Sequence, residues 1–427
     1  MSQGKPLRAD GAQLTDFLAV SLLARVYPTK IVDSILNEQG LSSKRVRSFP
    51  ATAGVYYCMG LSLYPEQAYE SVFQAVSQGL AWRSPGAHSG DGVVKSAISK
   101  VRTKLGSAPL EKLVQTCCQP LGRIDAHPQA FFAKRRIVAL DGSTLELPDE
   151  RANAQAFGYP GSRTGWAAYP HARCAILVEC ATHAVLAAEL GPYNTPEREL
   201  CLPLFKRLEP GMLCLADRGF NGFEVWQQAL SSGADLLWRM AKDRQFPVVK
   251  LLSDGTYISQ IRPSRNRAKG DAKSMDKNTA PISIRVVEYE LPNQPERYRL
   301  VTSLLDEHEA PGLELAALYH QRWQVEAVFD ELKTHLNQNR RVLRSKTPAL
   351  VRQEFFGWIL AHYAVRWLMH EAADQAGILH AELSFIATVQ LVKQSQPLSG
   401  AFPPSAVGEK TSVVARAAQK SSTASRD

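Results

Sequence analysis

Four polar side chains recur at helical spacing in one stretch of the chain, namely Tyr319, Arg322, Glu326 and Lys333. With about 3.6 residues per helical turn, the four fall within one arc of roughly 60°. The apolar residues of the same stretch fall directly beside that arc: Leu318, Val325, Phe329, Leu332 and Leu336. We therefore expect the polar side chains to lie at the edge of the core and to face a cleft. The alternative is an ordinary solvated helix face, on which charges pair at i, i+4.

Two aspartates follow apolar runs that are typical of buried strands. Asp141 comes after Ile137 to Leu140, and Asp217 comes after Met212 to Ala216. Acidic residues at the carboxyl ends of strands are where α/β folds place functional groups. Each aspartate alone is as readily structural as functional. Together with Glu326 they predict a site built from three carboxylates.

Such a trio is an all-oxygen ligand set, which suits Mg²⁺ or Mn²⁺ better than zinc. Two such ions activate a water or a 3′ hydroxyl and stabilise the leaving oxygen in an in-line phosphoryl transfer. Arg322 and Lys333 beside them are suited to hold phosphate oxygens. The chemistry predicted from these residue types is therefore phosphoryl transfer on a nucleic acid.

These segments resemble the DDE transposases of bacterial insertion sequences, in the group named after insertion sequence four. The resemblance is carried by Asp141-Gly-Ser, by Asp217-Arg-Gly-Phe and by the Tyr-x2-Arg-x3-Glu-x6-Lys signature that begins at Tyr319. It extends to Arg344-Ser-Lys-Thr-Pro with the Gln353-Glu354 helix after it, and to Arg47-Ser-Phe-Pro near the amino terminus. Together these segments cover about residues 40 to 370.

The resemblance implies a ribonuclease-H-like catalytic domain with Asp141, Asp217 and Glu326 as the catalytic residues and the ligands of two Mg²⁺ ions, for which Mn²⁺ substitutes. It also implies that a β-domain is inserted in the 109-position gap from Asp217 to Glu326, and that the Tyr, Arg and Lys of the signature contact DNA. Some members of the family cut through a hairpin in which a base flips onto an aromatic residue. Trp238 and Tyr257 are candidates for that platform, although each is more often a core residue.

The remaining pattern predicts how this site is supported. We expect an α/β fold, a mixed sheet flanked by helices, because apolar runs pair first as hairpins and then alternate with helical segments. The predicted units are a helical amino-terminal DNA-binding domain, the catalytic domain, a β-rich insertion within it, and a carboxyl-terminal helix with a disordered tail. Their bounds are 1–125, 130–375, 241–305 and 376–427 respectively.

Charge and composition favour a protein that binds DNA and does not enter a membrane. The chain has 427 residues and a net charge of +9, with seven cysteines that we expect to be free thiols. The candidate DNA contacts are the basic cluster Lys44 to Arg47, the basic loop Arg262 to Lys277 and a cationic helix. That helix carries Lys100, Arg102 and Lys104. We expect a cytoplasmic, nucleoid-associated protein, since no signal peptide or membrane-length apolar run is evident.

The predicted function is a metal-dependent transposase that binds the terminal inverted repeats of its own element, cleaves there and joins the 3′ hydroxyl ends to target DNA. Bringing two ends together implies a dimer on DNA. One alternative is a non-catalytic DNA-binding or regulatory protein that keeps the fold. A glycoside hydrolase is another, but it offers no role for Tyr319, Arg322 and Lys333 on one face.

Overall fold

The structure is a computed structural model of the whole chain, and it describes residues 14–43, 49–83, 94–162, 165–241, 244–263, 280–290, 297–337 and 342–394. Three segments singled out in the sequence lie outside these ranges. They are the basic cluster Lys44 to Arg47, residues 264 to 277 of the basic loop, and the tail after Gly400.

The amino-terminal region is helical throughout its described residues. The helices are α1 (Leu14–Val26), α2 (Thr29–Glu38), α3 (Ala51–Leu63), α4 (Tyr69–Arg83), α5 (Lys95–Leu105) and α6 (Ala108–Cys117). Helix α3 is apolar on all sides and is buried from Ala53 to Leu63, as expected for a central helix of a bundle. Its backbone lies so close to the later chain that a Cβ on Gly357 would lie 2.6 Å from the Cys58 carbonyl oxygen. The helical region therefore shares a core with the carboxyl-terminal part of the chain.

Ten described strands form one mixed sheet. They are β1 (Phe131–Phe132), β2 (Arg135–Glu146), β5 (His171–Glu179), β6 (Ala184–Pro192), β7 (Met212–Ala216), β8 (Asp235–Arg239), β9 (Lys250–Leu251), β10 (Tyr257–Ile261), β11 (Ile282–Glu290) and β12 (Arg297–Thr302). The short strands β3 (Gly161–Ser162) and β4 (Gly165–Trp166) form a separate hairpin. The strand order is β6-β5-β2-β7-β8-β12-β11-β10-β9, with β1 beside β2.

The mixed sheet confirms the α/β fold class and corrects one detail of it. Asp141 was expected at the end of its strand, but β2 continues for five residues beyond it. The parallel pairing of β2 with β7 stops at Ala139, opposite Leu215, whereas the antiparallel pairing with β5 continues to Glu146. Asp141 therefore lies where one neighbour of β2 has ended and the other has not. This leaves one edge of the strand open beside the aspartate.

The segment predicted as a β-rich insertion adds strands to the same sheet. Strand β12 pairs antiparallel with β8, with Val301 opposite Trp238, and β11, β10 and β9 follow outward. The described residues between 241 and 305 include the strands β9, β10, β11 and β12. The strands continue the central sheet because the backbone edge of β8 would otherwise be unpaired.

Helices flank the sheet: α7 (Arg151–Phe157), α8 (Glu197–Leu200), α9 (Phe223–Leu230), α10 (Gly312–Tyr319), α11 (Gln324–Asp330), α12 (Pro348–Ala376) and α13 (Phe385–Gln394). Helix α8 is a single turn and is followed by a 3-10 turn, Leu202–Arg207. Pro203 has no N–H to continue an α-helix.

The helix predicted over residues 311 to 337 is also interrupted. A 3-10 turn, His320–Trp323, separates α10 from α11, and a π turn, Glu331–Leu336, follows α11. A 3-10 turn winds more tightly than an α-helix and a π turn winds more loosely. The two deviations act in opposite directions, so the side chains expected on one face stay on one side.

None of the helices in the described ranges combines the length and the apolar character that spanning a membrane requires.

Candidate carboxylate cleft

Asp141 occupies a half-enclosed position on β2. Its Oδ1 accepts a hydrogen bond of 2.9 Å from the Gly142 N–H. Burial raises the pKa of Asp141 to about 6, against the lowering effect of Gly142 and Arg322, and Asp217 and Glu326 raise it further. The last two effects show that the three predicted carboxylates lie close enough to repel one another. The structure thus brings the predicted trio together.

Asp217 directly follows β7, as the sequence predicted. It precedes a 3-10 turn, Arg218–Phe220, and its Oδ1 accepts a hydrogen bond of 2.7 Å from the Gly219 N–H. Phe220, the last residue of this turn, is buried in the core and holds the turn in place. The carboxylate is therefore oriented by the backbone of its own turn.

Arg322 joins two of the carboxylates. Its guanidinium donates to Asp141 Oδ2 at 3.3 Å and to Glu326 Oε1 at 2.8 Å, and the residue is only 8% exposed. The side chain of Glu326 is 43% exposed at the mouth of the cleft. The Nε of Arg322 is buried without a hydrogen-bond partner among the described residues. The site therefore holds a cation between two predicted metal ligands, with one donor left over.

Tyr319 and Lys333 also reach the predicted face, but with partners inside the protein. Tyr319 is 5% exposed, and its hydroxyl donates to the Ala216 carbonyl at 3.2 Å, one residue before Asp217. The resemblance implied a DNA contact for this tyrosine, and the structure instead places its hydroxyl against the end of β7. Lys333 donates to the hydroxyl of Ser143. Burial lowers the pKa of Lys333, while Cys174 and Asp141 oppose that effect.

A fourth carboxylate, Glu197 at the start of α8, lies in the same place. A Cβ built on Gly142 would lie 2.2 Å from Glu197 Oε1, and one built on Gly219 would lie 3.7 Å from Oε2. Burial raises the pKa of Glu197 to about 7, and the charges of Asp141 and Asp217 add to that effect, with Arg173 and the Gly142 backbone opposing it. Sequence reasoning used Glu197 only as part of a helix start. The signal it overlooked was the glycine that follows Asp141 and leaves room for another side chain.

We call these four residues the carboxylate cleft: Asp141, Asp217, Glu326 and Glu197. Their eight oxygens are the donor type that Mg²⁺ and Mn²⁺ prefer. Burial and the charges of Asp217 and Glu326 raise the pKa of Asp141, and a divalent cation would offset both effects. The ligand chemistry of the cleft therefore fits such ions.

The other face of the same helical segment carries a second ionic group, which we call the buried ion cluster: His183, Glu331, His362 and Arg366. Glu331 is 6% exposed, and its carboxylate lies 2.9 Å from His183 Nδ1 and 2.8 Å from His362 Nε2. Arg366 donates to the same carboxylate through Nε at 2.9 Å. Burial lowers the pKa of His362 to about 3, so this ring is neutral. The cluster fixes the start of the π turn onto α12.

A third group, His127, His370 and Asp374, has possible ligand atoms within 4.8 Å of one another. However, His127 Nδ1 accepts from the Arg123 N–H at 2.9 Å, so its Nε2 carries the proton and donates to Asp374 at 2.8 Å. Asp374 is also 3.0 Å from the Arg123 guanidinium. His127 and Asp374 therefore already have partners within the protein, whereas neither ring nitrogen of the buried His370 has a hydrogen-bond partner among the described residues.

The cationic helix predicted around residues 95 to 104 exists as α5, but its three candidate DNA contacts differ. Lys100 and Lys104 are exposed. Arg102 is 5% exposed and donates to Gln353 at 2.8 Å and to Ser345 at 3.1 Å. The structure therefore corrects the prediction for Arg102: its guanidinium ties α5 to α12 and does not reach the surface.

The two aromatic candidates for a base platform differ in how deeply they are buried. Trp238 is fully buried and packs edge-on against Trp226, with ring centroids 4.9 Å apart. Tyr257 is partly buried and donates to Glu288 at 3.2 Å. Trp238 is therefore a core residue. By contrast, Trp323 is 60% exposed and adjoins Arg322, a position that sequence reasoning did not consider.

Comparison with known families gives two matches. Residues 132–364 match a family described as the transposase DDE domain, and residues 18–115 match one described as the insertion element 4 transposase N-terminal region. The first match covers all the residues of the carboxylate cleft and more than half of the chain.

Individual proteins are similar at lower levels. The transposase InsG for insertion sequence element IS4 of Escherichia coli K12 is 25% identical over 407 residues, which are 94% of this chain and 87% of InsG. The putative transposase y4zB of Sinorhizobium fredii is 26% identical over 165 residues, which are 37% of this chain and 43% of y4zB. A cryo-EM structure of the piggyBac transposase synaptic complex with hairpin DNA aligns with a TM-score of 0.44 at 11% identity, covering 92% of this chain and 82% of that one.

Proposed function

Because the chain belongs to the DDE transposase family, we propose that it cleaves DNA at the ends of its own mobile element by metal-dependent phosphoryl transfer and joins the 3′ hydroxyl ends to target DNA. The observation that carries the proposal is the convergence of Asp141, Asp217 and Glu326 in a partly open cleft, where Arg322 contacts Asp141 and Glu326. We also propose that the mixed sheet is ribonuclease-H-like.

Bound Mg²⁺ ions, or Mn²⁺ in their place, would activate the attacking hydroxyl and stabilise the leaving oxygen. Asp141, Asp217 and Glu326 are the residues that would hold them. The backbone orients two of these carboxylates in advance, through the N–H groups of Gly142 and Gly219. Such fixed orientation lowers the entropic cost of assembling the site.

The cations beside the trio suit the DNA backbone. Arg322 pairs with Asp141 and Glu326, and its guanidinium is a donor suited to a phosphate oxygen. Lys333 is half-buried at the opposite side of Asp141, next to Ser143, where its ammonium can contact a second phosphate. For Tyr319 we propose a positioning role, since its hydroxyl holds the end of β7 just before Asp217.

The remaining parts of the proposal concern DNA binding. We propose that the helical region to about residue 125 contacts the terminal inverted repeats, with Lys100 and Lys104 available for phosphates. The region 130–375 would then act as the catalytic unit, with the strands of 241–305 beside the DNA. Since two ends must be joined in one complex, we propose a dimer on DNA, associated with the nucleoid.

The test is a nicking assay on a labelled duplex carrying the inverted repeats that flank the coding region. We expect 3′ hydroxyl ends to form with Mg²⁺ or Mn²⁺ and not in excess chelator, while binding of the duplex persists because it rests on phosphate contacts. Asp141→Asn should abolish nicking, whereas Asp149→Asn, an exposed change eight residues along, should not. End binding without any nicking would indicate a regulatory protein instead, and cleavage in chelator would exclude the metal mechanism.

A further inference from the structure

The position of Glu197 is not explained by the packing of α8. Its neighbour Leu200 faces the core, and Glu199 is exposed to solvent, as expected on a surface turn. Glu197 instead turns inward, so that its carboxylate lies against the backbone of Gly142 and beside the turn at Gly219. These glycines adjoin Asp141 and follow Asp217. Glu197 therefore approaches the chain beside both predicted metal ligands, at a glycine one residue after Asp141 and at a glycine two residues after Asp217.

This arrangement is unfavourable without a cation. A carboxylate that is turned away from solvent towards two others gains repulsion and loses hydration. Nearby positive charge is partly committed, because Arg322 contacts Asp141 and Glu326. Arg173 stands nearer to Glu197, but its guanidinium lies over the Tyr193 ring, 5.4 Å from the centroid. The fold thus maintains a like-charge contact that a divalent ion would turn into an attraction.

We propose that Glu197 is a fourth metal-binding carboxylate of the cleft and shares a divalent ion with Asp141 and Asp217. The inference rests on the proposed function, which supplies the metal, and adds a residue outside the predicted trio. Asp217 and Glu197 present oxygens on the same side of Gly219, at 2.9 and 3.7 Å from the position of a Cβ there. A third contribution comes from Asp141, whose charge acts on Glu197 directly. Glu326 lies on the far side of Arg322, where it suits a second ion.

A purely structural role for Glu197 predicts a different result when its charge is removed. If Glu197 only filled space beside Gly142, glutamine would serve equally well, since it has the same shape and can still hydrogen-bond. Metal affinity distinguishes the two roles because it depends on the carboxylate charge.

The experiment measures Mn²⁺ binding to the full chain without DNA, by calorimetry and by the loss of the free-ion paramagnetic resonance signal. We expect Glu197→Gln to weaken binding of one ion by roughly 10-fold or more, in the range seen when residues supporting a metal site are lost. Glu199→Gln, on the same turn, should bind as the unaltered chain does. Metal-induced gain in melting temperature should fall in Glu197→Gln and not in Glu199→Gln.

Gly142→Ala provides a second variant, which retains all four carboxylate residues. The added Cβ would lie 2.2 Å from Glu197 Oε1 and must displace that side chain, so we expect the same weakened binding in a chain that melts cooperatively. Unchanged Mn²⁺ binding in Glu197→Gln, alongside lost binding in Asp141→Asn, would overturn this inference alone. If the unaltered chain binds no Mn²⁺, both the inference and the metal mechanism fail.

Discussion

The carboxylate cleft and the buried ion cluster lie on opposite faces of one helical segment. Their members on that segment, Glu326 and Glu331, are five residues apart along the chain. Glu326 on the first face is 43% exposed in its side chain, and Glu331 on the second is 9% exposed. The carboxylate of Glu331 has three partners, which are His183, His362 and the charged guanidinium of Arg366. The cleft instead gathers four carboxylates, of which Asp141 and Glu326 share the guanidinium of Arg322.

The difference lies in charge balance rather than in residue type. A buried carboxylate stabilises a fold only when its charge and lone pairs are matched, and the cluster meets that condition. The cleft does not, and its repulsion remains as long as no cation enters. We therefore expect changes in the cluster to alter stability and changes in the cleft to alter activity.

The largest effect should come from Glu326→Gln. Removing one member of a catalytic unit should lower the nicking rate roughly 10³-fold or more, with the melting temperature maintained or raised because repulsion is relieved. The measurement is a single-turnover nicking time course together with a thermal melt. Asp330→Asn, an exposed change on the same helix, is the control. Retained nicking in Glu326→Gln would remove Glu326 from the site.

Arg366→Met should act in the opposite way. Leaving Glu331 buried without its cation should destabilise the chain by about 3–5 kcal/mol. Glu371 is also on helix α12 and forms an exposed ion pair with Arg25 of helix α1. Glu371→Gln breaks that pair and should lower the free energy of unfolding by only about 0–1 kcal/mol. Denaturant unfolding measures both changes. A double variant, Glu331→Leu with Arg366→Met, should recover much of the loss, and equal losses in the single and double variants would contradict the pairing argument.

The pH dependence of metal affinity and of stability should report on the raised pKa of Asp141. The pKa of Asp141 is raised to about 6, so its proton must leave before an ion can bind. Mn²⁺ affinity should accordingly rise by roughly 4-fold between pH 5.5 and pH 7.5, in proportion to the deprotonated fraction. The folded metal-free chain holds this proton more tightly than the unfolded chain does. Its contribution to stability is therefore complete at low pH and is lost as the pH rises through about 6.

Titrations of Mn²⁺ at three pH values, with metal-free melts in the same buffers, measure both trends. Asp141→Asn should flatten the stability trend. If metal-free stability rose with pH through this range and the variant left that rise unchanged, the raised pKa would be contradicted.

The smallest effects concern α5, where the same contrast between surface and interior recurs. Lys100→Gln and Lys104→Gln should each weaken binding of the element end by about 2- to 5-fold and reduce the slope of log affinity against log salt by roughly one. Arg102→Gln should lower stability instead, because Arg102 joins α5 to Gln353 and Ser345. Gel-shift titrations at several salt concentrations test this, and unchanged slopes in the lysine variants would leave these side chains outside the DNA interface.

The parts of the site that were predictable from the sequence depend on local order. Asp217 ends an apolar run, and the polar arc from Tyr319 to Lys333 follows helical spacing. That arc was derived for a regular helix, and it survives because a tight turn and a loose turn offset each other. The prediction was therefore correct that these side chains share one face and wrong that they lie on one regular α-helix.

What the sequence did not reveal depends on contacts between distant positions. Arg102 is buried by partners more than 240 residues away, and Glu197 reaches the cleft only because the chain crosses Gly142 in space. Likewise, the insertion joins the central sheet through the pairing of β12 with β8, which no local pattern specifies. Spacing along the chain is informative within an element, and it says little about which elements meet.

The unbroken sheet from β7 to β9 has a consequence for the length of DNA that the protein can cover. Five strand spacings of about 4.8 Å separate these strands, which places the outer edge about 24 Å from the strand that precedes Asp217. Backbone hydrogen bonds between neighbouring strands fix this distance. If DNA lies along these strands, as we propose, the distance corresponds to about seven base pairs at about 3.4 Å per base pair. Protection of the duplex on that side of the cut should therefore end at a fixed position, whatever the base sequence.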